Sequence, residues 1–300
     1  MASNHDEIPE TLTAACVQFD VRRGDVDGNL RRAEAGIAAA AAQGARLCVL
    51  PEMWSTSFLP DYDPATLAAA TAAEDRLRQW SGQHGLVTVG SSVVAADGAV
   101  HNCAHVHDRG VTIGTYRKLH MFSPNAEQRH HAPGDTPLVV DSSAGRLGVL
   151  IGYDLRFPEL ARYYFHKGVE VLTVPAQWPE ARSQHWRTLL RARAIENITF
   201  AIGCNRVGQD ASLKNEDELS YPGDGRIIDP TGEVLVAGSG GDEPLVAELE
   251  LRTARTMRRI LPVDRDQRPT VYRRLCEDVW ESMIAASRES GDGESPANGG

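Results

Sequence analysis

The 300-residue sequence predicts an α/β fold built on a mixed sheet, or on two such sheets stacked. Strands alternate with helices early in the chain, and extra strands stand outside that alternation. No internal repeat and no linker-like break interrupts residues 12–286. One domain is therefore expected there, with 1–11 as a disordered lead and 287–300 (SRESGDGESPANGG) as a disordered tail by composition.

Taken in order, LTAACVQF at 12–19 reads as the first strand. Asp27 is placed to cap a helix running to residue 43, with Leu30, Ala33, Ile37 and Ala40 on one face and Gly44 as its stop. RLCVL at 46–50 is a buried strand that ends on Pro51-Glu52, which sets a carboxylate at its C-terminal end. Asp63-Pro64 caps a second helix reaching Gly85. Strands follow at 86–94, 100–107 and 111–116, and the last delivers Arg117-Lys118 to a polar loop at 119–137. A loop of that length in a compact domain tends to be functional. A buried strand at 147–151 then turns through Gly152-Tyr153-Asp154 into a helix beginning near Arg156. Further strands are read at 169–174, 199–205, 226–229 and 245–249, with a strongly helical run at 182–197.

Composition narrows the function. A chain 42% hydrophobic and 24% charged can bury a full core. A formal net charge of −10 gains nothing from counterion release, which disfavours nucleic acid and anionic membrane surfaces as partners. No apolar run approaches the ~20 residues of a membrane span. The polar N-terminus reads as no signal peptide. Five scattered cysteines without CxxC spacing point to reduced thiols in a cytoplasm rather than to disulfides or zinc. Cys16, Cys48 and Cys204 lie inside strands and read as core.

Three ionisable residues fall where loops meet strand ends: Glu52, Lys118 and, in the loop that follows, Glu127. Ligands of α/β sheets collect at strand ends. A carboxylate and an ammonium brought together there can act as base and oxyanion stabiliser. Singly, each has an ordinary reading as a surface or structural charge. The elbow at 152–154 also matters, because a strand-to-helix turn holds one side chain up towards a substrate. The residue at its tip is Gly152, which has no side chain.

In combination, LPE at 50–52, YRKLHMF at 116–122 and GVLIGYDLRFPEL at 148–160 resemble the nitrilase (carbon–nitrogen hydrolase) superfamily. APGD at 132–135, VPAQWP at 174–179, HWRTLLRARAIEN at 185–197, NRVG at 205–208 and IIDPTGE at 227–233 follow in the family's order, so the resemblance covers 12–275. The text VPAQWPEAR and HWRTLLRARAIEN most resembles bacterial ω-amidase-like members. The resemblance implies a four-layer αββα sandwich, pairing into a homodimer or higher homo-oligomer, a small-molecule substrate, and neither cofactor nor metal. In the family a Glu deprotonates a Cys, the thiolate attacks an amide or nitrile carbon, and a Lys steadies the tetrahedral intermediate. By position Glu52 matches the base, Lys118 the cation and Glu127 its supporting carboxylate. Trp178 would wall the pocket, with plain core packing as its other reading, and Tyr153 would present its N–H to the site.

The family reads I-C-Y-D at the elbow where this chain reads Ile151-Gly152-Tyr153-Asp154. Three readings are open. The protein is a silent binding or scaffold paralogue. Or its chemistry is altered: the missing side chain leaves room beside Glu52 and Lys118 for a water or a second substrate. Glu52 then drives non-covalent hydrolysis, condensation or cyclisation on a small amide or amine-bearing carboxylate. Or it is an amidohydrolase whose nucleophile has been mutated. Gly223-Asp224-Gly225, where the family often reads G-H-S, is a second departure, and His131, where an aromatic is more usual, a third. Among other residues, Asp154, Arg156 and Glu159 read as structural. Arg182 or Arg206 could meet a substrate carboxylate, with surface salt-bridging as the ordinary alternative. His120, His130 and His131 read as a solvated loop rather than a metal site.

Overall fold

The computed structural model describes residues 10–289; of the expected lead at 1–11 and tail at 287–300, residues 1–9 and 290–300 lie outside them, while Thr11 opens the first strand and residues 287–289 end the last helix. Two compact units result, one ending at Met257 and one beginning at Arg258.

The first unit contains two mixed sheets. One runs β1 (Thr11–Cys16), β2 (Leu47–Val49), β3 (Val87–Ala96), β4 (Ala99–Asp108), β5 (Val111–Arg117), hydrogen-bonded in that order. The other is built from β6 (Val139–Ser142), β7 (Gly145–Val149), β8 (Val171–Ala176), β9 (Phe200–Asn205), β10 (Val207–Ala211) and β11 (Glu218–Ile228), in the order β6-β7-β8-β9-β11-β10. A further strand, β12 (Val234–Ser239), also pairs with β11, and β13 (Leu245–Glu250) returns to lie antiparallel to β1.

Among the strands of the described residues, β1-β2-β3 and β7-β8-β9 pair in parallel. Parallel neighbours need a crossover, and a helix supplies each one. These are α1 (Val26–Ala42) and α2 (Pro64–His84) on the first sheet, α3 (Pro158–His166) and α4 (Ser183–Asn197) on the second.

Side-chain alternation sorts the core into layers. Leu47 and Val49 point to the other sheet, where they meet Leu147, Val149, Val171, Phe200 and Ile202. Cys48 and Leu50 point the opposite way and pack with Ile37, Leu77 and Trp80 of the helices. On the far side Leu172, Val174 and Ala201 pack against Tyr164, Trp186 and Leu190. The result is the expected αββα sandwich.

Several local expectations hold and others change. Asp63 caps α2 by accepting from the Thr66 N–H at 2.7 Å, and Gly85 closes it in the left-handed region. The cap of α1 is Asp25 rather than Asp27: its carboxylate accepts from the Gly28 N–H, and Asp27 sits in the first turn. The elbow does not pass directly into a helix at Arg156. Residues Gly152–Arg156 form a 3₁₀ turn, and α3 starts at Pro158, whose missing N–H suits a first helical position. The sequence reading missed β6, β10 and β12, and also α5 (Leu251–Ile260), α6 (Val263–Asp266) and α7 (Pro269–Glu289). The second unit carries α6 and α7. No described helix is long and apolar enough to cross a membrane.

Candidate active site

The C-terminal ends of β2, β5, β7 and β8 deliver four segments to one end of the sandwich. The chain leaves β2 through Pro51 and Glu52 and turns sharply at Met53, whose φ is 49°. Lys118 follows β5 directly, its N–H bonded to the Asn102 carbonyl of β4 at 2.9 Å. Glu127 opens a short 3₁₀ turn in the loop beyond. Gly152 lies three residues past the end of β7, and Gln177-Trp178 follows β8.

Glu52, Lys118 and Glu127 are each 2% exposed and in contact. The Lys118 ammonium donates to Glu52 Oε1 at 2.7 Å and to both Glu127 oxygens at 2.8 Å. Glu52 also accepts from Asn102 Nδ2 at 2.8 Å on Oε1 and from the Gln177 N–H at 2.9 Å on Oε2. Glu127 accepts the Phe122 N–H at 2.7 Å, which ties the loop to its own carboxylate. Two carboxylates thus share one buried ammonium. Burial pushes the Glu52 pKa up, Lys118 pulls it down, and the neighbouring Glu127 pushes it up again; the net direction is upward. Burial works against the Lys118 ammonium, but Glu127 and Glu52 outweigh it and hold Lys118 charged.

Gly152 adopts φ +43°, a left-handed conformation that glycine tolerates best. A Cβ built there would run into Glu52 Oε2. The expected room beside Glu52 is therefore filled by the Glu52 carboxylate itself. Asp154, fully buried, accepts from the Tyr116 hydroxyl at 2.8 Å and the Ile151 N–H at 3.0 Å on one oxygen. Its other oxygen takes the His120 N–H at 3.0 Å and meets His120 Nδ1 at 2.8 Å. One carboxylate thus fastens the elbow to the loop after Lys118, the structural duty expected of it.

A cleft opens beside the cluster. Phe58, Phe122, Tyr153, Trp178 and Tyr221 give it an apolar wall. Trp178 is also anchored, donating its N–H to Asn205 Oδ1 at 2.6 Å and its indole N–H to the Arg182 carbonyl at 2.8 Å. Two arginines enter the same cleft. Arg156 lies over Trp178 at 5.2 Å and Tyr153 at 5.8 Å, and Arg182 over Phe122 at 5.3 Å. Among the described residues neither is paired with a carboxylate; Arg156 meets His185 Nδ1 at 2.9 Å. Arg206, by contrast, is fully buried away from the cleft lining and bonded to Asp210 at 2.8 Å.

Among the described residues no cysteine lines the cleft. Cys16 and Cys204 sit in the core between the sheets and Cys48 in the layer under the helices. Burial pushes the Cys48 and Cys103 thiols up to about 12, and Cys204 well above the ordinary thiol value. His131 departs from the solvated-loop expectation. It is buried edge-on between Phe58 and Tyr62, and burial lowers its pKa to about 4. Asn102 and Gln177, both bonded to Glu52, were not singled out in the sequence. The only signal was a polar residue inside an apolar strand (Asn102) or directly after one (Gln177).

Comparison with known proteins agrees with this fold. Residues 13–259 match the carbon–nitrogen hydrolase family model. The 2-oxoglutaramate amidase of Bacillus subtilis (strain 168) is 35% identical over 264 residues, covering 87% of this chain and 99% of its own. A carbon–nitrogen hydrolase from Helicobacter pylori G27 superposes with a TM-score of 0.81 at 26% identity, over 88% of this chain and 98% of the other. A mutant of the amidase from Nesterenkonia sp. AN1, which shows an acetamide moiety covalently added at its active-site cysteine, superposes with a TM-score of 0.74 at 25% identity, over 88% and 95% of the two chains. The chain belongs to the carbon–nitrogen hydrolase family of the nitrilase superfamily.

Proposed function

We propose that this protein acts on the C–N bond of a small amide bearing a carboxylate, through Glu52 and Lys118 and without a cysteine thioester. The carrying observation is the Glu52–Lys118–Glu127 cluster at a cleft that holds two arginines and no cysteine. On this reading Gly152 stands where family members carry their nucleophile. Glu52 takes a proton from a water, or from an amine in a condensing or cyclising reaction, as that group attacks the amide carbon. Lys118 stabilises the oxyanion, and Glu127 keeps Lys118 charged and in place. As the C–N bond breaks, the proton returns to the departing nitrogen. Tyr153 and Trp178 pack against the acyl chain. Arg156 and Arg182 receive the distal carboxylate, which fits an amide such as 2-oxoglutaramate.

The test is ammonia release from a panel of monoamides with and without a second carboxylate. The native protein is expected to turn over the carboxylated amides, and Glu52→Gln to abolish this. Loss of the base alone costs on the order of 10²–10⁴-fold. If the native chain is inert on amides and on amine-plus-acid pairs, the proposal falls. One observation favours a second reading, a silent binding protein: the Glu52 carboxylate itself lies against Gly152 and is held by three hydrogen bonds. Under that reading tight binding of the same carboxylates without turnover is the expected result. Pairing of copies and a cytoplasmic location belong to the same proposal, supported by the family resemblance and by the five free thiols. Sedimentation at several concentrations tests the pairing.

A further inference from the structure

We infer that Gln177 is the positioning residue for Glu52, and that Arg206 fixes which way its amide faces. The inference rests on the proposed role of Glu52 as base. Gln177 grips Glu52 twice. Its backbone N–H donates to Oε2 at 2.9 Å, and its Nε2 donates to the Glu52 carbonyl at 2.9 Å. The two carboxylate oxygens are thereby distinguished. Oε1 is held by Lys118 and Asn102, while the Gln177 N–H is the donor to Oε2. Oε2 is also the oxygen that lies against Gly152 and so faces the elbow.

The orientation of the Gln177 amide follows from its neighbours. Arg206 Nη1 donates to Oε1 at 3.3 Å, and the Ser57 hydroxyl, whose one proton goes to Asp210, accepts from Nε2 at 3.3 Å. An arginine has only donors and a carbonyl has none, so the amide oxygen must face Arg206 and its NH₂ the Glu52 carbonyl. Arg206 cannot drift. It is fully buried, lies 4.7 Å over the Tyr221 ring, and is bonded to Asp210 Oδ2 at 2.8 Å and Ser57 Oγ at 3.0 Å. Ser57 itself is bonded to Asp210. The relay starts on the second sheet, at Asp210 and Arg206, and ends on the carboxylate carried by the first. The charged groups facing Glu52 are Lys118 directly and Glu127 through it; Asn102 and Gln177 are its neutral partners, and Asp154 is turned instead to Tyr116 and His120.

The test titrates Glu52 itself, with no need for turnover. Protein labelled with ¹³C at the glutamate carboxyls is followed by NMR, and the Glu52 signal is assigned by its loss in Glu52→Gln. In Gln177→Leu, the anchors that aim the N–H at Oε2 are gone, so the Glu52 midpoint is expected to rise by about half a unit to one unit. Gln177→Met serves if the leucine variant does not fold. Arg206→Met is expected to shift the midpoint in the same direction, Arg206→Lys to keep it near the native value, and the double variant to add nothing to Gln177→Leu. An unmoved midpoint in the Gln177 variants, even with lowered stability, assigns Gln177 to packing alone and overturns the inference. A moved midpoint in a protein that releases no ammonia sustains it while the proposed function falls.

Discussion

Glu52 Oε2 lies against Gly152, too close to the position of a β-carbon on residue 152 for both to stay where they are. The carboxylate and the glycine are complementary: one fills the space that the other leaves. Neither position can change without the other responding, and the elbow strand is thereby coupled to the opposite sheet.

Gly152→Ala and Gly152→Cys should each destabilise the protein by about 1–3 kcal/mol. The left-handed backbone costs a non-glycine residue about 1 kcal/mol. Displacing Glu52 from the Gln177 N–H adds the loss of a charged hydrogen bond. Urea unfolding measures this, and an alanine variant as stable as the native protein would show that Glu52 is not seated over the glycine.

Glu52→Gln should alter stability in a pH-dependent way. A carboxyl whose folded pKa lies above its unfolded value of about 4.3 contributes stability below that pH and loses it as pH rises through the folded pKa. The Glu52 pKa is raised, chiefly by burial, so its ionisation works against the fold near neutrality. Stability of the glutamine variant relative to native should therefore climb above pH ~4.3 and then level off. A difference that stays flat with pH contradicts the raised pKa. Activity should move oppositely, with turnover rising as Glu52 ionises and absent in the variant.

Arg156→Ala and Arg182→Ala should each raise KM for a carboxylated amide by roughly 10–100-fold, the size of one charge-assisted contact. KM for an uncharged amide of similar length should change little. Equal effects on both substrates would mean that the arginines hold the wall rather than the ligand.

His131→Phe should improve resistance to acid. His131 is held neutral inside the fold, with a pKa lowered to about 4 by burial, while the unfolded chain titrates near 6.5. Between those values the unfolded state binds the extra proton, so stability falls as pH drops, by roughly 3 kcal/mol in all. Phenylalanine preserves the ring contacts with Phe58 and Tyr62, gives up the 3.3 Å hydrogen bond between Nε2 and the Tyr62 hydroxyl, and removes that slope. Thermal unfolding between pH 7 and 4 reads the difference.

The features that carry a local mechanism were legible in the sequence. Asp63-Pro64 and Gly85 mark the ends of α2 because a cap and a left-handed stop act within one turn. Strand ends placed Glu52 and Lys118 at one end of a sheet before any contact was known. Gln177 and Asn102 have no such signature, since their meaning lies in a carboxylate 125 and 50 residues away. β10 was missed because VGQDA is polar and half-exposed, and only pairing with β11 makes it a strand. His131 looked solvated beside His130, yet adjacent loop residues can face opposite ways.

The cluster of charges hangs from the first sheet, and Gly152 and Gln177 hang from the second. The layer of Leu47, Val49, Leu147 and Val171 between them is therefore the spacer of the site as well as its foundation. Trimming that spacer, for example by Val171→Ala, changes no polar residue but loosens the spacing between the two halves of the site. Chemistry of this kind should fade at a temperature below that of global melting.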